Sequence, residues 1–354
     1  MTETKVRRLT IEARRPGRRR PAIVRSANAL LRAPARLPHP PRAVTAMRAT
    51  RRCVAVVTVG TLLGLAAPGI VAPQPAQALP TLPIENAFTP PGPYPTTTTT
   101  VSVPGHAPYA LFYPADYGSL GFASPIVTWG NGTDASPSMY STLLGHFASY
   151  GFTVIASTQP NTGSGREISA AARYLAAQNT QTGSPFYGHL DVDHVASVGH
   201  SQGATGAVRA ATASSDLITA VMTFSLPAKF LSLPNPDCPT SADCTAEPGL
   251  LTQPIFLMST FGPLDQVIDS PAVARGQYDE VPGHAAMGVV LFSGNRLADH
   301  TSIQDQGGDP HTELGYATAW LEYQLRGDAL ATGAFNGDHP EFLANPSWFL
   351  TAVK

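Results

Sequence analysis

Gly199-His200-Ser201-Gln202-Gly203 is a G-x-S-x-G pentapeptide, and a serine in that setting can serve as a nucleophile. It follows an apolar run, Val195-Ala196-Ser197-Val198, that reads as a buried strand, and precedes Ala204 to Ala211, which reads as a helix. A strand, a tight turn and a helix lift the serine oxygen above a sheet. Small residues two before and two after are required because the two backbones crowd there. A serine hydroxyl attacks only when a base takes its proton and a carboxylate orients that base. In a strand–turn–helix setting of this kind the chain order is serine, acid, histidine, so the partners are sought beyond residue 201.

Ile255 to Ser259 reads as a strand, and Asp265 falls in the loop at its carboxyl end, where an acid belongs. Asp269 is the alternative acid, and Asp265 could instead cap a helical segment starting near Gln266. Of the downstream histidines, His284 precedes the strand Gly288 to Phe292, which puts it at the wrong end of a parallel sheet. His300 follows that strand through a loop and reaches the catalytic face; His311 lies further along the same connection. His300 is therefore the expected base. His200 and His194 read as structural. A developing oxyanion needs two backbone N–H donors. One is expected at Gln202, directly after the serine, and the second in the loop Trp129-Gly130-Asn131-Gly132-Thr133, at Asn131 or alternatively Gly132. An ordinary Asn-Gly turn is the chemically silent reading of that loop. Trp129 and Gly132 are the expected substrate contacts.

The elements that must position these residues alternate. Thr96 to Val103 and Tyr109 to Tyr113 read as an antiparallel pair across the turn Pro104-Gly105-His106. Strands then follow at Pro125 to Trp129 and Phe152 to Ser157, with helical stretches at Met139 to Tyr150 and Gly165 to Gln178. After the serine come strands at Ile218 to Phe224, Ile255 to Ser259 and Gly288 to Phe292, and a long helix from about Leu314 to Arg326. This order predicts an α/β fold with a mostly parallel sheet and helices on both faces, its chemistry in loops at the strands' carboxyl ends.

Charge divides the chain. Residues 1–52 hold 15 of the 23 Lys and Arg and only two acids, and an apolar run from Cys53 to Ala72 and an Ala76-Gln77-Ala78 site follow. These are the parts of a secretory signal peptide, with cleavage expected after Ala78. A membrane anchor is the competing reading, which Gly60, Gly64, Pro68 and Gly69 argue against. Met47 would start a leader of ordinary proportions. The 276 residues from 79 on carry eight basic against 22 acidic side chains, a net of −14. That balance repels phosphate backbones and excludes nucleic-acid partners. Residues 79–95, rich in proline and glycine, read as an extended surface arm, and 96–354 as one catalytic domain. Cys238 and Cys244 read as a disulfide closing a short loop, since two cysteines without a neighbouring histidine are too few for a metal site.

Taken together these residues resemble the α/β-hydrolase fold, and more narrowly the secreted bacterial cutinase-like and PET-hydrolase-like esterases, relatives of dienelactone hydrolases. The likeness runs from about Thr97 to Phe335. It rests on Gly165-Arg166, on Asp191 to Gly203, on Gly294 to His300, and on Ala319-Trp320-Leu321 with Gly327-Asp328. It implies a Ser201–His300–Asp265 triad, oxyanion amides at Gln202 and near Asn131, and an ester substrate. No metal or organic cofactor is expected, nor membrane insertion after leader cleavage; a monomer is expected. The chain departs from the polyesterases in having Gln202 for their methionine and Asn131 for their clamping aromatic. Leu226-Pro227-Ala228 stands where they carry Pro-Trp, and the cysteine pair lies in the following insertion. The same triad would serve an acyltransferase, and the same fold a non-catalytic binding protein. The proline-rich segment from Leu226 to Leu251 is the expected seat of acyl-chain selectivity.

Overall fold

The computed structural model describes residues 82–232, 234–293, 296–305 and 312–354. The leader expected over 1–78, His311 and Gly294 lie outside the described residues. The chain opens with helix α1 (Pro83–Phe88), then strands β1 (Thr96–Val101), β2 (Tyr109–Pro114) and β3 (Ser124–Gly130). Helix α2 (Ser141–Ser149), β4 (Thr153–Ser157), α3 (Arg166–Gln178), β5 (Leu190–His200), α4 (Gln202–Ala213) and β6 (Ala220–Phe224) follow. Next come β7 (Ile255–Thr260), α5 (Asp265–Ile268), α6 (Pro271–Glu280) and β8 (Ala285–Val290). A short hairpin of β9 (Phe292–Ser293) and β10 (Arg296–Leu297), helices α7 (Leu314–Arg326), α8 (Ala329–Phe335) and α9 (Glu341–Ala344), and β11 (Trp348–Val353) complete the order.

Nine strands form one sheet in the order β1-β2-β4-β3-β5-β6-β7-β8-β11. Its six central strands, β4 to β8 with β3 among them, run parallel, while β1, β2 and β11 are antiparallel additions at the two edges. Because side chains alternate along a strand, each central strand feeds two cores. Phe256 and Met258 of β7 join the core under α2, α7 and α8, whereas Ile255 and Leu257 join the one under α3, α4 and α6. Strands buried on both faces are apolar for most of their length, as β3, β6 and β7 are, with small serine and threonine hydroxyls as their polar members. The architecture is the α/β-hydrolase fold.

Three local readings are corrected. Residues 83–88 are a helix rather than part of an extended arm: Pro83 starts it and Ile84 and Phe88, one turn apart, are buried. The strand expected to start at Gly288 starts at Ala285, and Phe292 belongs to the small hairpin. The edge strand β11, which pairs with β8 through an irregularity between Phe349 and Ala352, was not anticipated.

Candidate active site

β5 ends at His200 and α4 begins at Gln202, so Ser201 alone makes the turn between them. Its φ is +55°, a conformation that non-glycine residues rarely adopt. The turn is pinned by a hydrogen bond of 2.9 Å from the Ser201 amide to the Phe224 carbonyl of β6. Glycine is obligatory at 203, where a Cβ would collide with the carbonyls of Gly130 and Asn131 at the end of β3. The serine side therefore sits at the carboxyl end of the sheet, at the N-terminus of α4, whose first amides have no intrahelical acceptor.

The loops after β7 and β8 converge on it. The Ser201 hydroxyl lies 2.9 Å from His300 Nε2, and His300 Nδ1 lies 2.9 Å from Asp265 Oδ1. The other Asp265 oxygen accepts from the Thr260 hydroxyl at 2.6 Å and the Gly262 amide at 3.2 Å. Burial pushes the Asp265 carboxyl up, but its hydrogen bonds to His300 and Thr260 and the histidine's charge outweigh it, holding the group below the usual carboxylate range. An ionised Asp265 can only accept, so the His300 proton is on Nδ1 and Nε2 is free to accept from the serine. Asp265 is the first residue of α5, not its cap, because Leu264 before it is already helical.

His200 carries a second chain of hydrogen bonds across the site. Its Nε2 meets the His300 carbonyl at 2.8 Å and its Nδ1 meets the Tyr140 hydroxyl at 2.9 Å. A carbonyl only accepts, so His200 Nε2–H donates to it and Nδ1 accepts from Tyr140. The tyrosine oxygen in turn accepts from the Gly132 amide at 3.1 Å and from Gln304 at 3.2 Å. Burial, reinforced by the neighbouring His300, pushes the His200 imidazole down to about 3, so it is neutral at working pH. Residue types alone gave no sign of this link; Tyr140 and Thr260 have no motif to mark them.

The loop after β3 differs in part from expectation. Trp129, expected as a substrate contact, is 1% exposed, packed on Tyr140 and Phe224, with its indole N–H on the Asn131 side-chain oxygen. The alternation of β3 turns Trp129 with Val127 into the core under α2. Gly132 is buried too, and a Cβ there would meet His200 Nδ1 at 2.8 Å. Both residues expected as substrate contacts are thus buried. The Asn131 side chain is fully buried and donates to the carbonyls of Ser157 and Gln159, which fixes the loop's backbone. The Gln202 side chain reaches the Asn131 and Pro160 carbonyls. Beside Gln202 lies a pocket of about 210 Å³ whose walls include Thr133, Pro227, Leu231, Asn235 and Cys244. Cys244 is disulfide-bonded to Cys238, with Cα atoms 5.6 Å apart.

His284 lies at the opposite end of β8, stacked on Trp320, and His194 pairs with Asp191. The His300 ring bonds Asp265 and Ser201 and not Asp269, which is fully buried with a carboxyl oxygen within 4.8 Å of both Asp265 and His300. The groups brought together are thus Ser201, His300 and Asp265, an arrangement able to take a proton from a serine as it attacks a carbonyl.

A family model described as PETase, PET hydrolase-like, matches residues 49–236. The matched stretch covers the strands from β1 to β6, the turn at Ser201 and the loop after β3. No curated protein matches the chain at a significant level. The match spans more than half the sequence and coincides with the nine-stranded α/β architecture, and its family chemistry is the hydrolysis of esters. The chain belongs to the PET hydrolase-like family.

Proposed function

We propose that the protein is a secreted serine carboxylic-ester hydrolase working through an acyl-enzyme. The observation that carries this reading is the unbroken chain of two 2.9 Å hydrogen bonds from Ser201 through His300 to Asp265. Ser201 Oγ attacks the ester carbonyl while His300 Nε2 takes its proton, and the same proton passes to the departing alcohol. Asp265 keeps the Nδ1 proton in place and stabilises the imidazolium. Water, deprotonated by His300, then releases the acid and restores the serine. The tetrahedral oxygen is held by the Gln202 amide and by a second amide of the loop at Asn131. Gly132 is the weaker choice there, since its N–H is already given to Tyr140.

The ester's acyl or alcohol part lies in the pocket beside Gln202, walled on one side by the segment from Leu226 to Leu251. Its mixed lining of Thr133, Asn235, Pro227 and Leu231 suits a small or aliphatic ester. Residues 96–354 form the catalytic domain and 1–78 the export leader. Export is supported by the Cys238–Cys244 disulfide and the acidic balance beyond residue 78. Among the described residues no helix is long and apolar enough to cross a membrane.

The test is hydrolysis of p-nitrophenyl esters of increasing acyl length by the wild type and Ser201→Ala. The expected result is a loss of at least about 10⁴-fold in kcat for the variant, with its fold intact. A folded wild type inactive across the series overturns the proposal.

A further inference from the structure

Asp269 is a buried ionisable group that this chemistry leaves unused. It ends α5 one turn after Asp265, so the two side chains share a face. It has no exposed surface, and neither of its carboxyl oxygens meets a donor at hydrogen-bonding geometry. Ser225 and Ser259 come near it from the ends of β6 and β7. One of its oxygens lies within 4.8 Å of both an Asp265 oxygen and a His300 ring nitrogen.

Two carboxylates this close and this dry cannot both be charged. Asp265 has three donors, from His300, Thr260 and Gly262, so the charge belongs there and the proton to Asp269. Burial, then the Asp265 charge, push the Asp269 carboxyl well above the usual carboxylate range. The protonated group is a donor facing an acceptor. The other ionisable groups around the pair are His300, from the loop after β10, and His200 of β5, whose ring lies 4.7 Å from that of His300. Glu313, before α7, and Asp299, next to His300 in sequence and packed on Gly262, line with Ser225 and Ser259 the small cavity at His300.

We propose that Asp269 is a positioning residue that holds a proton against Asp265, steadies that carboxylate for His300, and stands in for it when Asp265 is removed. The proposal rests on the triad reading above. It differs from a packing role because it assigns Asp269 a proton and a charge response.

The experiment follows kcat/KM for p-nitrophenyl butyrate from about pH 5 to 9 in the wild type, Asp269→Ala, Asp269→Asn, Asp265→Ala and the double alanine variant. Loss of the donor leaves the Asp265 charge undamped, which favours protonation of the Asp265–His300 pair. The acid limb of Asp269→Ala should therefore move to higher pH by about half a unit. Asp269→Asn, which keeps an N–H donor of the same shape, should leave the limb in place. The double variant should be at least about tenfold slower than Asp265→Ala, because the stand-in carboxyl is gone.

An unmoved limb in Asp269→Ala, or one moved to lower pH as removal of a charge would produce, overturns the proposal. So does a double variant no slower than Asp265→Ala. Should Asp269→Ala fail to fold, Asp269→Leu, of similar bulk and without a donor, takes its place. Activity surviving in Ser201→Ala overturns the triad reading itself. An inactive Ser201→Ala together with an unmoved limb overturns only the role of Asp269.

Discussion

The proton positions on His200 and Tyr140 follow from their partners alone, and they tie three separate loops into one frame. Tyr140 holds Gly132 after β3 and His200, the residue before the serine, and His200 in turn holds His300 through its carbonyl. Removing the tyrosine hydroxyl leaves the Gly132 amide without its acceptor and His200 Nδ1 without its donor, both buried. Tyr140→Phe should lower kcat roughly tenfold with KM changed less than about twofold, because the loss is in alignment of the base and not in substrate contact. Steady-state kinetics of the two proteins decide this; a change confined to KM would mean that Tyr140 touches substrate.

At the level of elements, β3 has two tasks that its alternation keeps apart. The carbonyls of Gly130 and Asn131 at its end pack against Gly203 behind the serine turn, while Trp129 one step back fills the core between Tyr140 and Phe224. Trp129→Ala should cost about 3–5 kcal/mol of stability, as large-to-small core changes do. Chemical denaturation gives that loss, and KM measured below the melting range should stay near the wild-type value. The same element explains what sequence reading could and could not reach. β3, β6, β7 and α7 are legible because a continuous apolar run or a helical repeat is a local signal. The burial of Trp129 is not legible because its direction depends on which face of β3 packs on α2, a tertiary fact. β11 went unseen because its pairing with β8 spans some 60 residues and its edge is broken by Leu350 at φ +50°. Ser201, Asp265 and His300 could be named from chain order and strand ends, but the burial of Asp269 behind them could not. α5 is a single turn, too short to carry a repeat.

At the scale of the whole molecule, the segment after β6, from Ser225 to Pro254, is the longest stretch without a strand or α-helix among the described residues, and it carries part of the wall of the pocket. Three 3-10 turns and the disulfide between Cys238 and Cys244, six residues apart, give it shape. A loop that short contributes about 2 kcal/mol in the chain-entropy account. Cys238→Ser should lower the melting temperature by a few degrees, a reductant should do the same to the wild type, and calorimetry compares the two. A much larger fall would mean that the bridge supports more than its own loop. The turn at Ser201 works in the opposite sense. A side chain held at φ +55° costs on the order of 1–3 kcal/mol, which the packing of the strands and helices around it must outweigh. Toughness and turnover are therefore opposed at one position. Improvement by rounds of heating, with survival as the sole criterion, would erode the nucleophile first and yield a sturdier protein that no longer reacts.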